Sequence, residues 1–311
     1  MAYLMVVIHA RIVTAMVYVM HICGTQAIAA STTLAHRDDV LSDIAAGRHL
    51  TTLAFSERGS RSQFWAPVSK LTIDGTDYRT DAVKSWVTSA SKADSYVSSG
   101  QQPGAESPLE STLYLVRPGT AGVSVEDGFD GLGLRGNDSL PVTLRDVAVA
   151  SGDLLTANGA GSAMVLETVL PWFAVGTAAM ANGLCLAAVQ ATTQHLSASG
   201  FEHTATQLRD LPNLRSRLAD MSVRTAQSRA LLAHTVSEMD SPTELTPLYV
   251  LQSRLAAIEA AVDVTDLAMK ACGGAAFSKH LGIERIFRDA RAGWVMAPTT
   301  DHLRDFVGRA L

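Results

Sequence analysis

The run from Leu170 to Ala191 (LPWFAVGTAAMANGLCLAAVQA) carries no charged side chain and is about as long as a membrane-spanning helix. Such a segment has two fates: it crosses a bilayer, or it is buried inside a helical core. Thr177, Asn182 and Gln190 interrupt it, Pro171 opens it, and no Lys or Arg anchors either end. Its Gly and Ala residues suit close helix packing, so burial is the expected fate. The first thirty residues are similarly apolar but are broken by His9, Arg11 and His21. They lack the basic start and small-residue cleavage pattern of a secretory signal. They too read as buried helix, and no membrane is expected as a partner.

Around that run the 311 residues change texture twice. Residues 1–50 read as two helices, the second ending near Ala45-Ala46-Gly47. Residues 51–155 are rich in Ser, Thr, Gly and Val, with short alternating runs closed by turn residues. Lys70-Leu71-Thr72-Ile73 precedes Asp74-Gly75, and Ser111 to Val116 precedes Arg117-Pro118-Gly119. Ser98 to Ser107 (SSGQQPGAES) reads as a flexible surface loop. Residues 156–311 return to helix. One long helix runs through Leu218-Ala219-Asp220-Met221 with Arg217, Arg224 and Arg229 on its wet side. A second carries the stripe Leu248, Leu251, Leu255, Ile258, Val262, Thr265 and Met269, and stops at Gly273-Gly274. The predicted class is α+β, in three parts: N-terminal helices, a small β-barrel domain and a C-terminal helical bundle.

Charge and ligand chemistry exclude several functions. The net charge is −5, with no Lys/Arg cluster of the kind nucleic-acid binders need, so nucleic acid is not a partner. Cys23, Cys185 and Cys272 are odd in number and far apart, and the nine histidines are scattered, so no metal-ligand spacing exists. Reduced, buried thiols in a cytoplasm are expected.

Chemistry enters through motifs. Ala271-Cys272-Gly273-Gly274 is followed by Ile283-Glu284-Arg285-Ile286-Phe287-Arg288-Asp289-Ala290-Arg291, and the spacing runs on without gaps to Thr299-Thr300. Further forward lie Leu53 to Ser60 (LAFSERGS), Lys84 to Ala90 (KSWVTSA), Gly133 to Ser139 (GLRGNDS) and Leu144 to Val149 (LRDVAV). Taken in order, these resemble the acyl-CoA dehydrogenase family over residues 20–311. The shared features are its LTEPxxGSD turn, KxWITNA strand, GLRGS segment, FEDVxVP strand, and GG turn with the following ER-RDAR run. The resemblance implies the family's fold, with a partial N-terminal helical domain, a barrel and a four-helix bundle. It also implies FAD, held by Ser56, Gly59, Ser60, Trp86, Thr88, Lys270, Gly273, Gly274, Thr299 and Thr300, with the flavin ring between barrel and bundle. An acyl thioester, an electron-transfer acceptor and a second subunit, identical or paralogous, joined through the bundle are the implied partners.

Each motif also has a plain reading. Trp86 and Thr88, two apart on a strand, point to one side, as a flavin's face and N5 edge require; alone they are a core Trp and a strand Thr. Gly59-Ser60 offers donors to phosphates or is only a turn. Thr299 and Thr300 touch the flavin or cap the last helix. Glu284, Arg288 and Asp289 are expected to pair and fix a loop rather than to do chemistry.

The resemblance fails where proton removal begins. The family's base precedes the Gly-Thr of an EGTS segment, and Val295-Met296-Ala297-Pro298-Thr299 puts Ala297 there. The alternative position, on the first long bundle helix, holds Val169. Asp301 and Glu167 are the neighbouring carboxylates, although a one-turn displacement of about 5–6 Å exceeds the ~3 Å reach of a base. The Arg of the family's ERxxFG stretch falls near Phe201-Glu202-His203, with Arg209 as a shifted equivalent, and Lys270 replaces the Gln of the GG turn. Three functions stay open: an acyl-CoA dehydrogenase-type flavoenzyme with an altered base, a non-catalytic subunit sharing a cofactor site, and a flavin monooxygenase-like relative.

Overall fold

A computed structural model describes residues 12–311. His9, Arg11 and the start of the predicted first helix lie outside the described residues. The chain forms two compact units.

The first unit comprises residues 16–131 and 135–173. Helices α1 (Ile12–Ala30, entering this unit at residue 16) and α2 (Arg37–Ala45) precede seven strands. These are β1 (Thr51–Ala54), β2 (Lys70–Asp74), β3 (Asp77–Val87), β4 (Ser95–Gln101), β5 (Ser111–Val116), β6 (Val123–Val125) and β7 (Leu140–Val149). The path is β1-β4-β2-β3-β7-β6, with β5 also bonded to β4. Because β4 pairs with β1, with β5 and at Gln101 with β2, the sheet branches and curls around one core. Leu71, Ala82, Val87, Tyr96, Tyr114, Val142, Leu144 and Val147 fill it.

Two loop expectations meet different fates here. The Asp74-Gly75 turn forms between β2 and β3 as expected. The proposed loop over Ser98–Ser107 is corrected, since its first four residues are the end of β4. Composition misleads because small hydroxyl residues pass for loop yet are satisfied in the sheet: Ser98 Oγ donates to Ala54 C=O at 3.4 Å and Ser95 Oγ to Thr51 Oγ1 at 2.9 Å.

The second unit comprises residues 12–15, 132–134 and 174–311. A helix begins at α3 (Gly161–Met164) in the first unit, passes a π turn (Val165–Val169) and continues as α4 (Leu170–Ala198) into this one. Then follow α5 (Pro212–Asp240), α6 (Thr246–Cys272), the single turn α7 (Gly274–Phe277), α8 (Ile283–Ala290), the turn α9 (Ala292–Val295) and α10 (Thr300–Arg309). The 161–198 stretch has the length and composition to cross a membrane, but 72% of its most apolar window is buried inside the protein, as a core helix requires.

Helices α5 and α6 run antiparallel. Arg217 reaches the Lys270 carbonyl at 2.9 Å, Arg224 pairs with Asp263 at 2.5 Å, and Thr235 meets the Tyr249 carbonyl at 3.3 Å. Arg224 and Arg229 are exposed, as expected, and Arg217 is partly exposed. The α6 stripe is also corrected. Ile258, Val262 and Thr265 are buried, but Leu248, Leu251, Leu255 and Met269 are only partly so, while Val250, Ser253, Arg254, Ala257, Ala261, Val264 and Ala268 are buried. The helix is covered on more than one side, and close approach favours the small residues inward, leaving the large ones on the flank.

Candidate functional site

In the sheet unit the first two predicted segments are stitched together. Ser85 N–H donates to the Ser56 carbonyl at 2.7 Å and Arg58 N–H to the Val83 carbonyl at 3.4 Å. Gly59, at φ +102°, turns the chain, and Ser60 closes that turn. Ser60 turns inward: its N–H and hydroxyl both reach the Glu57 carbonyl, at 3.3 and 3.1 Å. Both donors that Ser60 is expected to offer a phosphate are used here by a tight i to i+3 turn.

Trp86 and Thr88 do not share a side. The β3–β7 register shifts between Lys84 and Val87, Trp86 takes φ +57°, and Thr88 lies past the strand's end. Strand alternation ends there. The indole stands 64% exposed, edge-on to Phe129 at 5.5 Å, while Thr88 is 2% exposed, its hydroxyl 3.3 Å from Ser139 Oγ. A non-Gly residue at this φ is strained and persists only where its surroundings over-determine it, a state that gathers at functional sites. Ser89, also at positive φ, donates its N–H to the Asn137 carbonyl at 2.9 Å, and Ser91 N–H reaches Asp138 Oδ2 at 2.7 Å. Asn137 is buried, and its Oδ1 has no hydrogen-bond partner. An exposed indole, a buried hydroxyl on one long hydrogen bond and an orphaned amide oxygen, all on neighbouring turns, suit a planar polar ligand such as a flavin.

In the helical unit, the Gly133–Leu134 tip docks on α8. Asp289 Oδ1 accepts the Leu134 N–H at 2.8 Å, and Arg288 donates to the Leu132 carbonyl at 2.9 Å while pairing with Glu284 at 2.8 Å. Glu284 and Arg288 pair as expected; Asp289 instead holds the tip's backbone. A methyl group on Gly133 would lie 2.7 Å from the Arg288 carbonyl oxygen and 2.8 Å from Asp289 Cα, so only glycine allows this approach. Burial pushes the Asp289 carboxyl above its ordinary range, against the Leu134 N–H and the charges of Arg285 and Arg288. Arg291 stacks on Phe287, 3.4 Å from the ring centre, and donates to Thr265 at 2.5 Å.

The remaining predicted residues separate by role. Lys270 is exposed and paired with Asp266 at 2.6 Å, and Gly273 ends α6 at φ +54°, with Gly274 opening α7. Thr299 is the N-cap of α10, accepting the His302 N–H at 3.4 Å, and Thr300 is buried at its first position. Phe201 belongs to a two-strand hairpin (Gly200–Phe201 with Thr206–Gln207), beyond which Arg209 is exposed.

Ala297 is held by a residue that sequence reasoning missed. Arg254, buried in α6, donates to the Met296 carbonyl at 3.1 Å and lies 3.4 Å from that of Ala297. Neither substitute base has the dry setting that proton abstraction needs. The Asp301 side chain is 93% exposed and paired with Arg304 at 3.2 Å, and Glu167 is exposed on the π turn beside the buried Val169. A cavity of about 30 Å³ lined by Thr177, Met180, Ile258, Ala261, Asp289 and Met296 has room for about one water, far below a ligand pocket.

Comparison with known proteins places these features. Residues 159–311 match the family described as acyl-CoA dehydrogenase, C-terminal domain. Over 262 residues the chain is 25% identical to cyclohex-1-ene-1-carbonyl-CoA dehydrogenase of Geobacter metallireducens, covering 84% of this chain and 68% of that protein. It is 27% identical to the mitochondrial short-chain specific acyl-CoA dehydrogenase of Bos taurus, covering 82% of this chain but 61% of the relative. The chain thus spans roughly two thirds of these relatives' length. The fold superposes on butyryl-CoA dehydrogenase from Megasphaera elsdenii with a TM-score of 0.93 at 18% identity, covering 99% of this chain and 80% of that one. Against glutaryl-coenzyme A dehydrogenase the TM-score is 0.91 at 18% identity, covering 98% and 77%.

Proposed function

Because the chain belongs to the acyl-CoA dehydrogenase family, we propose that it is an FAD-binding oxidoreductase acting on an acyl thioester. The observation that carries this reading is the strained, exposed Trp86 beside buried Thr88 and the orphaned Asn137 Oδ1. FAD, when bound, supplies the acceptor for a hydride.

The chain's own residues do the rest. Trp86 presents an aromatic face, Thr88 a hydroxyl donor, and the turn at Gly59 brings backbone close to the cofactor. In the helical unit, taken by itself, Lys270, the Gly273-Gly274 turn and Thr299 and Thr300 at the head of α10 are the residues that would meet a cofactor's phosphates. Lys270 would have to leave Asp266 to meet a phosphate. The partners that follow are an electron-transfer acceptor and a second subunit, identical or paralogous, joined through the bundle. Three buried cysteines outside any disulfide fit a reducing compartment such as the cytoplasm.

Ala297 supports a second reading, a subunit that keeps the cofactor site without abstracting a proton. A methyl group accepts none, and the nearby carboxylates are water-covered. One experiment separates the two. An acyl-CoA is added anaerobically to FAD-loaded wild type and to Ala297→Glu, and the flavin absorbance near 450 nm is followed. Bleaching by wild type supports an enzyme with a base of its own. Bleaching only by the variant supports the cofactor-sharing subunit, and bleaching by neither removes acyl thioester oxidation from the proposal.

A further inference from the structure

Position 84 of β3 faces the sheet core, between exposed Val83 and half-exposed Ser85, where an apolar residue is the normal occupant. Lys84 is there instead, fully buried, with its ammonium 2.5 Å from Glu57 Oε1 and 2.6 Å from the Ser99 carbonyl. The Glu57 carboxylate also accepts the N–H of Val68 at 2.6 Å, the N–H of Ser69 at 2.8 Å and the Ser69 hydroxyl at 2.5 Å. The loop from Glu57 to Ser69 is therefore closed on itself by one side chain and fastened to β3 by another.

A buried ion pair is a poor source of net stability. Desolvation offsets most of its attraction, and replacing such a pair with apolar residues is often neutral. Setting registry is the best-attested use of such a buried polar pair. The location here fits that role. The backbone stitches from Ser85 to Ser56 and from Arg58 to Val83 flank the pair, and two residues beyond Lys84, inside the register shift that ends at Val87, Trp86 takes its strained conformation. Lys84 is the last side chain before the strain that is tied to the Glu57–Ser69 loop. Burial alone would raise the Glu57 carboxyl, but the Lys84 charge and the surrounding donors hold it below its ordinary range, so it is ionised at neutral pH.

We propose that Glu57 and Lys84 are positioning residues for the flavin: the pair sets the turn at 56–60 and the Trp86–Thr88 segment relative to one another. This rests on the reading that a flavin binds these segments. Neither side chain touches the cofactor in this scheme; they act through the turn and the strand end.

The test uses the full chain and the double variant Glu57→Leu/Lys84→Met, with Glu57→Gln as a milder change should the double variant not fold. Amide hydrogen exchange is measured without FAD. FAD affinity and the visible circular dichroism of bound flavin are then measured with it. The expected result is an intact fold with exchange faster by tenfold or more confined to residues 58–69 and 85–88. FAD affinity falls at least tenfold, and the flavin dichroism changes. Unchanged exchange overturns the proposal, because the pair then fixes nothing. Faster exchange with wild-type affinity and dichroism also overturns it, since the role is then only structural. Failure of the wild type itself to bind FAD defeats the cofactor reading, and the proposal with it.

Discussion

Replacing Gly133 by Ala tests the docking of the 132–134 tip on α8 more sharply than any deletion of a side chain. The new methyl group would sit 2.7 Å from the Arg288 carbonyl oxygen, 2.8 Å from Asp289 Cα and 2.9 Å from the Arg288 carbonyl carbon, all backbone of one helix. Backbone cannot rotate away, so the tip must lift by several tenths of an ångström. Overpacking of this kind costs about 1–3 kcal/mol. Lifting also stretches the Leu134-to-Asp289 hydrogen bond, now 2.8 Å, whose acceptor is a buried carboxylate; full loss of a charge-assisted bond costs about 1.5–3 kcal/mol. With partial stretching, a destabilisation of about 2–4 kcal/mol follows. Urea unfolding reads it as a lower midpoint at unchanged slope. Because Gly133→Ala already strains that bond, the double variant with Asp289→Ala should cost less than the sum of the singles by at least ~0.5 kcal/mol. A single-variant effect below about 0.5 kcal/mol, the usual range of a neutral surface change, or strict additivity, refutes the docking argument.

Asp289 also gives a pH signature. Burial raises its folded-state pKa above that of the unfolded chain, so the native state holds this proton more tightly. Its contribution is therefore fully present below the ordinary Asp range and is lost as pH rises through the raised value. Asp289→Asn should flatten that part of the stability–pH curve in chemical unfolding series, and an unchanged slope contradicts it. Cys23, Cys185 and Cys272 are buried, with the Cys185 thiol pushed up to about 12 by burial and the Cys272 thiol also raised. A disulfide-exchange reagent at pH 8 should label them only on unfolding, so stoichiometric labelling of the native protein would contradict the packing of α1, α4 and α6.

Much of this architecture was legible in the residues because local chemistry and tertiary packing agreed. Gly75 makes the β2–β3 turn and Gly273 ends a long helix, because φ restrictions act on the chain regardless of its surroundings. The Glu284–Arg288 pair is likewise set by helical spacing alone. Long-range effects hid the rest. Spacing on a strand put Trp86 and Thr88 on one side, and a register shift imposed by β7 undid it. Lys84 on an alternating strand has no sequence mark of burial, since the Glu57 that neutralises it lies 27 residues away. Arg254 gave the same misleading signal within an Ala-rich helix. The one usable clue was its place on the inward face, three residues before Ala257 and four before Ile258, both buried.

The account turns on flavin binding at the Trp86–Thr88 segment, and an FAD titration of the purified full chain tests it most directly. Wild type should bind FAD stoichiometrically and turn yellow. Trp86→Ala should keep its fold by far-ultraviolet circular dichroism but bind about five- to twelvefold more weakly, the loss of about 1–1.5 kcal/mol expected for one aromatic contact. A wild-type chain that stays colourless with excess FAD, or a Trp86→Ala variant that binds it undiminished, contradicts the account.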